Sequence, residues 1–311
     1  MKRKFNPDWL FFSALFANVC VILTGRQFPF ADMVNHLARF RLMDQYWFGQ
    51  PPAYLRVDLI PTAYIGLDFV GVAAEHFFPT EVAMRIIAVL CMAALPMGAW
   101  LLLRAVNPDS RGWALVGVLL GFHWCYLFGF IHYSLGIGLA LMWLAWWWPR
   151  REKREWHAVA VAAVLACGVY LVHLAGAVVV LVVIWLDWGM AVVKFAREGT
   201  GSLLRRGPWL ARAAMPLGVT VGIVTLWWVA RLAAPSVYIP PFLEQVLYLP
   251  LWKKLTHLAS PFYTFGPLQA AVMTAGYLDC LGAVLLAMRR ALRVNLFALS
   301  CGVLMLVYFA L

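Results

Sequence analysis

Charge is what this sequence has least of. Asp, Glu, Lys and Arg make up 13% of the 311 residues, while 64% are hydrophobic. A water-soluble domain typically carries about 25% charged residues, so a soluble dinucleotide-binding enzyme, a secreted disulfide-stapled module and a disordered tail are all excluded. Cysteine pairs at C-x-x-C spacing are also missing. Cys20, Cys91, Cys125, Cys167, Cys280 and Cys301 each fall inside an apolar run and read as small buried hydrophobes rather than disulfide partners or metal ligands. The strict apolar/polar alternation of an outer-membrane barrel is absent as well. No P-loop, dinucleotide fingerprint or internal repeat replaces these signals.

What is present is a series of continuous apolar runs, at 9–24, 80–103, 112–128, 131–148, 157–171, 174–193, 213–232, 268–288 and 294–311. With roughly 20 residues needed to cross the hydrocarbon core, the pattern predicts an all-α, polytopic bundle of about nine crossings forming a single domain over 1–311. The first run follows Met1-Lys-Arg-Lys4 and precedes Gly25-Arg-Gln-Phe-Pro29, with no small-residue cleavage site, so it is expected to be an anchor rather than a signal peptide. The segment 59–78 is long enough to cross, but it carries Pro61, Asp68, Glu75 and His76, and carboxylates are costly at bilayer depth. Placing it at the outer interface, and turning the chain at His173, puts 17 of the 25 Lys and Arg on the side of the N-terminus. If it crossed, Arg150, Arg151, Lys153 and Arg154 would face outward, against the positive-inside rule. The expected orientation is therefore N-terminus in the cytoplasm of an inner-membrane protein, with outer loops at about 26–79 and 233–267. The net charge of +11 is then a topology signal, and nucleic acid is not an expected partner. Trp143, Trp146, Trp147 and Trp148 close one run as an aromatic belt would. The last run ends at Leu311 without a polar terminus, as expected of a short last helix or of a piece of a longer protein.

Six of the 14 acids lie between residues 26 and 85. There, Asp32, Asn35, His36 and Arg39 are spaced i, i+3, i+4, i+7 and share one face of a helix, with Met33, Val34, Leu37 and Phe40 opposite. Such a helix lies in the interface with its polar face toward water or a cavity. Two readings stay open from the residues alone: Asp32 caps the helix and pairs locally, or the polar face carries chemistry.

The order of features around this helix resembles the GT-C superfamily of polytopic glycosyltransferases, which includes protein mannosyltransferases and the lipid A aminoarabinose transferase. A first transmembrane helix leads to an outer-loop Asp, a Pro-bearing stretch from Pro51 to Tyr64 precedes a second amphipathic helix, and Glu81-Val-Ala-Met-Arg85 opens the next crossing. Asp32 matches the family's acidic motif, and Glu81 with Arg85 matches its Glu-x-x-x-Arg element. Met33 departs from the Asp-Glu pair common in the family, and Asn35 and His36 stand nearby instead. The likeness spans about residues 9–105. It implies a polyprenyl-phosphate-linked sugar as donor, membrane lipid around it, and a glycan, lipid or protein acceptor bound from the outer side. In such chemistry a carboxylate takes the acceptor's proton, and cations or amides stabilise the departing phosphate. Asp32 becomes the expected base, with Asn35 or His36 orienting it. Arg39 is the nearest phosphate candidate. Asp58 and Asp68 are candidates for a second carboxylate, Asp58 reading more simply as a helix cap.

Further along, His132 and His173 fall near outer helix ends and would line the same cavity if the turns around 129–132 and 173 converge; otherwise they are packing residues, as is His123. Gly129, Gly136 and Gly138 with Ser134 read as close-approach positions. Lys253 and Lys254 in the second outer loop suit either a lipid phosphate or membrane headgroups. The histidines lack H-x-x-x-H spacing, so no metal ligand set and no cofactor is expected, although a divalent ion is left open. Two other classes fit a polytopic chain: a transporter or flippase for a lipid-linked substrate, and a noncatalytic membrane assembly subunit.

Overall fold

The computed structural model describes residues 7–25, 32–50, 53, 60–151, 156–198 and 207–233. Asp58, Lys253, Lys254, the second outer loop and the runs at 268–288 and 294–311 lie outside the described residues. Within them the chain is all-helical. The α-helices are α1 (Pro7–Thr24), α2 (Met33–Phe48), α3 (Ile65–Phe77), α4 (Thr80–Val106), α5 (Ala114–Leu119), α6 (Trp124–Phe128), α7 (Ile131–Trp147), α8 (Trp156–Val172), α9 (Leu174–Glu198) and α10 (Gly207–Ala233). Thr80–Val106 and Leu174–Val193 are long and apolar enough to cross a membrane, with mean hydropathies of 2.4 and 2.3. At 1.5 Å per residue, the 13 residues of α3 reach only about 20 Å, short of the ~30 Å hydrocarbon core.

The apolar run at 112–128 departs from the single helix its composition suggests. It is broken into a 3-10 turn at Pro108–Trp113, α5, a second 3-10 turn at Leu120–Phe122, and α6. Gly117 and Gly121 weaken helix propensity here. His123, in an extended conformation, ends the run by accepting the Tyr126 amide at its own ring nitrogen, which caps α6 in place of a continuing helical bond.

α4 and α7 form the central pair of the bundle. Their backbones touch because both contact positions are glycine: a Cβ on Gly98 would fall 2.5 Å from the Gly138 carbonyl oxygen, and one on Gly138 would fall 2.4 Å from the carbonyl carbon of Ala94. One core, around Phe11, Ile87, Met92 and Tyr126, joins α1 and α4 to the α5–α6 segment. A second, around Trp143, Ala166, Val180 and Met215, joins α7 to α8, α9 and α10. The tryptophans closing α7 do not all stand in a belt. Trp143 and Trp147 are buried, and the Trp143 indole donates to the Ala162 carbonyl of α8 at 2.8 Å. Trp146 and Trp148 instead carry the guanidinium groups of Arg150 and Arg151 over their rings. The cysteines described (Cys20, Cys91, Cys125, Cys167) are free thiols.

Polar contacts fix the two ends of the bundle. Asp8, opening α1, accepts from the Trp100 indole near the end of α4 and pairs with Arg111 at 3.1 Å. At the opposite end, Arg85 in the second turn of α4 donates to the Leu23 carbonyl near the end of α1. α2, α3, the Gly129 turn and the start of α7 meet one another through the contacts described next.

Candidate functional site: the start of helix α2

Helix α2 buries Met33, Phe40 and Met43. Val34 faces outward at 72% exposure, contrary to its expected place on the apolar face. The buried stripe follows i, i+7, i+10, which leaves position 34 about 100° away from it. Phe40 lies against Gly71 of α3, where a Cβ would fall 2.4 Å from the ring, and this bare position lets the two helices close on each other.

Asp32 sits at the N-cap position of α2 but makes no side-chain cap. Its Oδ1 accepts instead from Asn35 Nδ2 at 2.6 Å, and its Oδ2 lies 3.5 Å from His36 Nε2. The triad read from helical spacing therefore exists as a set of contacts. Its seat is Gly129, between α6 and α7. With φ at +99°, in the left-handed region that favours glycine, Gly129 presents its bare Cα to Asp32; a Cβ there would lie 2.7 Å from the Asp32 Cβ and 2.8 Å from its backbone nitrogen. The Gly129 carbonyl lies 3.1 Å from His36 Nε2. A carbonyl only accepts, so Nε2 carries the proton and Nδ1 is the acceptor nitrogen of His36. Burial holds the His36 pKa below its ordinary value, outweighing the opposing pull of Asp32 and of the Gly129 bond, and Arg39 pushes the same way as burial. His36 is accordingly neutral at neutral pH.

Behind His36 stands His132, the second residue of α7, with ring centroids 4.7 Å apart. His132 is 5% exposed, and its Nε2 has no hydrogen-bond partner among the described residues. Tyr64, just before α3, turns its ring edge-on to both His132 (5.6 Å) and His173 (5.1 Å). His173 is the single residue between α8 and α9, and its Nδ1 accepts the Ala175 amide at 3.0 Å, capping α9. Tyr133 links His173 (5.5 Å) to His123 (6.1 Å), whose Nε2 meets Ser134 Oγ at 3.0 Å. Asp32, Asn35, His36, His132 and His173 thus form one continuous cluster at one end of the bundle. Tyr64 was invisible to sequence reasoning: it follows Pro61 in an irregular stretch with no periodic signal, and only the tertiary fold brings it between the two histidines.

The remaining candidates are engaged differently. Arg39 Nη2 donates to Asp68 Oδ2 of α3 at 2.5 Å, so these two side chains are each other's partner. Asp68 is fully buried, its Oδ1 has no partner among the described residues, and burial lifts its pKa from 3.8 to about 6 against the lowering effect of Arg39. Two further contacts run along the same interface, His76 to Asp44 at 3.1 Å and Arg41 to buried Glu75 at 4.0 Å. Glu75 also accepts from the Thr80 hydroxyl at 2.9 Å. Glu81 is exposed in the first turn of α4, while Arg85 ties α4 to α1. No group of three or more His, Cys, Asp or Glu arranged to hold a metal occurs among the described residues.

Chemically, the cluster offers a partly exposed carboxylate with one fixed donor, two imidazoles of defined tautomer, and phenol rings. That set can accept a proton from a bound hydroxyl and orient the group that carries it. Comparison of the chain with protein families, with curated proteins and with solved structures gave no match.

Proposed function

We propose that the chain is a membrane glycosyltransferase of the GT-C type, which moves a sugar from a polyprenyl-phosphate donor to an acceptor on the outer face of the inner membrane. The observation that carries this reading is Asp32 at the start of α2, oriented by Asn35 and His36 and seated on the Gly129 turn, with the buried His132 behind His36. In the proposed reaction the acceptor hydroxyl oxygen attacks the anomeric carbon of the donor. The bond from that carbon to the phosphate oxygen breaks, its electron pair stays on the phosphate, and the hydroxyl proton passes to Asp32. Asn35 holds Asp32 Oδ1 at 2.6 Å, while His36 Nε2 approaches Oδ2 only to 3.5 Å, so the more loosely held Oδ2 is the oxygen proposed to take the proton. Nine crossings, with α2 and α3 lying at the outer interface and the N-terminus inside, complete the proposal. The apolar lengths of α4 and α9 and the placing of basic residues on one side support that arrangement.

Arg39 supports phosphate stabilisation less directly, because Asp68 already holds it. Half of the guanidinium side chain is exposed, and an incoming phosphate would have to share it or displace the carboxylate. The test is a donor panel. Purified protein in lipid vesicles is given polyprenyl-phosphate hexoses, pentoses and aminopentoses, and release of free polyprenyl phosphate is measured together with acceptor labelling. Release coupled to labelling is the expected result. No release from any donor would remove the transferase reading in favour of a transporter or an assembly subunit.

A further inference from the structure

His132 has a ring nitrogen that nothing in the described chain satisfies, although the residue is 5% exposed. Native folds pair nearly all their buried polar atoms, so one left open marks a place where a bound molecule or an ordered water completes the bond. What surrounds it limits what that molecule can be. The His36 ring lies at 4.7 Å and the Tyr64 ring at 5.6 Å, with His173 against the other side of Tyr64 at 5.1 Å. His36 Nε2 is turned to the Gly129 carbonyl, and His173 Nδ1 is used by the Ala175 amide, which leaves the His173 proton on Nε2. The lining is therefore made of imidazole donors and acceptors, aromatic edges and the Tyr64 backbone, which also bonds His132.

A phosphate group needs cations or converging amides. The nearest guanidinium, Arg39, is paired with Asp68, and no carboxylate pairs with His132 among the described residues to hold a proton on it. Sugar hydroxyls, in contrast, both donate and accept and are neutral, and the C–H face of a pyranose packs on an aromatic ring. Tyr64 supplies such a ring, is 44% exposed, and stands edge-on against both His132 and His173.

We propose that His132 Nε2, flanked by Tyr64 and His173, is a hydroxyl-binding subsite for the neutral sugar portion of the substrate, and that the phosphate is held elsewhere. The proposal rests on the sugar-transfer reading for the nature of the ligand, and it narrows that reading by separating the sugar subsite from the phosphate subsite.

The experiment uses the full chain in nanodiscs, with histidines labelled with nitrogen-15. The probes are a panel of methyl glycosides (mannoside, glucoside, galactoside, arabinoside) and farnesyl phosphate as a lipid phosphate without sugar. At least one glycoside is expected to bind and to move the His132 Nε2 resonance. His132→Ala should weaken that glycoside by about tenfold, the size of one hydrogen bond, and leave farnesyl phosphate binding within about twofold. His132→Gln, which puts an amide nitrogen near the position of Nε2, should restore most of the affinity. His132→Phe, which removes the ring nitrogens, replaces the alanine variant as the loss test if that variant does not fold. The proposal is overturned if no glycoside binds, if glycoside affinity is the same in His132→Ala or, should that variant not fold, in His132→Phe, or if farnesyl phosphate is the probe that is lost. Glycoside binding through His132 without any sugar transfer would keep the subsite and remove the transferase reading. Sugar transfer with glycoside affinity indifferent to His132 would do the reverse.

Discussion

Replacing Asp68 with asparagine tests how the interface between α2 and α3 is held. Asp68 is fully buried against Arg39, yet its pKa is lifted from 3.8 to about 6, because the cost of desolvating the carboxylate exceeds what one half-exposed guanidinium returns. That difference corresponds to about 3 kcal/mol. The sign follows from which state binds the proton. Below pH 3.8 both folded and unfolded chains carry a protonated Asp68, and the group has no effect. Between 3.8 and about 6 the folded chain binds the proton more tightly, so stability is lost as pH rises through that window, and above it the full penalty of about 3 kcal/mol remains. The asparagine side chain of the Asp68→Asn variant does not titrate and keeps an oxygen to accept from Arg39. Thermal unfolding of both proteins in the same detergent, followed by tryptophan fluorescence from about pH 4 to 8, gives the difference between wild type and variant at each pH. The expected difference shifts against the wild type as pH rises, by roughly 6–12 °C in Tm in total, and levels off near neutrality. A flat difference would mean that Asp68 carries no such desolvation penalty in the folded chain. A difference that shifts in favour of the wild type would rule the penalty out more strongly, since that is the sign of a carboxylate stabilised in its charged form by Arg39.

Two other substitutions probe the seat of the cluster and the packing of α2 on α3. Gly129→Ala places a Cβ 2.7 Å from Asp32 in a left-handed backbone that costs an alanine about 1–2 kcal/mol. Sugar transfer should fall by a larger factor than this stability loss explains, read by comparing the transfer rate with the unfolding midpoint. Gly71→Ala drives a methyl to within 2.4 Å of the Phe40 ring. It should destabilise by about 1–3 kcal/mol through overpacking, and the double variant with Phe40→Leu should recover part of that loss in the same unfolding assay, since directly contacting positions do not add.

Local periodicity made the beginning of the site legible. The i, i+3, i+4, i+7 spacing placed Asp32, Asn35, His36 and Arg39 on one helix face, and the contacts of Asp32 with Asn35 and His36 follow from it. The break at His173 and the small residues of α7 were legible too, because a polar residue between two apolar runs and glycines in a helix each have few structural uses. Partners distant in sequence were not legible. Nothing in the chain order says that Arg39 meets Asp68, that the Gly129 carbonyl meets His36, or that Tyr64 stands between His132 and His173; these pairings are made by packing across 29 to 109 residues. The segmentation of 112–128 escaped for a related reason. Hydropathy averages over a window, and it cannot register one histidine whose ring nitrogen replaces a helical hydrogen bond. Asp68 shows the same limit in energetic form: its composition marks a carboxylate in an apolar helix, but only the fold shows it enclosed with one oxygen unpaired.

In the proposed reaction Asp32 takes the proton of the acceptor. The most direct test of this step is a single-turnover transfer rate, with donor saturating, for wild type and Asp32→Asn in the same vesicles. Asparagine keeps the shape and the hydrogen bond to Asn35 or His36 but cannot act as a base at neutral pH. A fall of about 10²–10⁴-fold is expected, the usual contribution of general base catalysis, with donor affinity unchanged. Transfer by Asp32→Asn at the wild-type rate would contradict that role for Asp32.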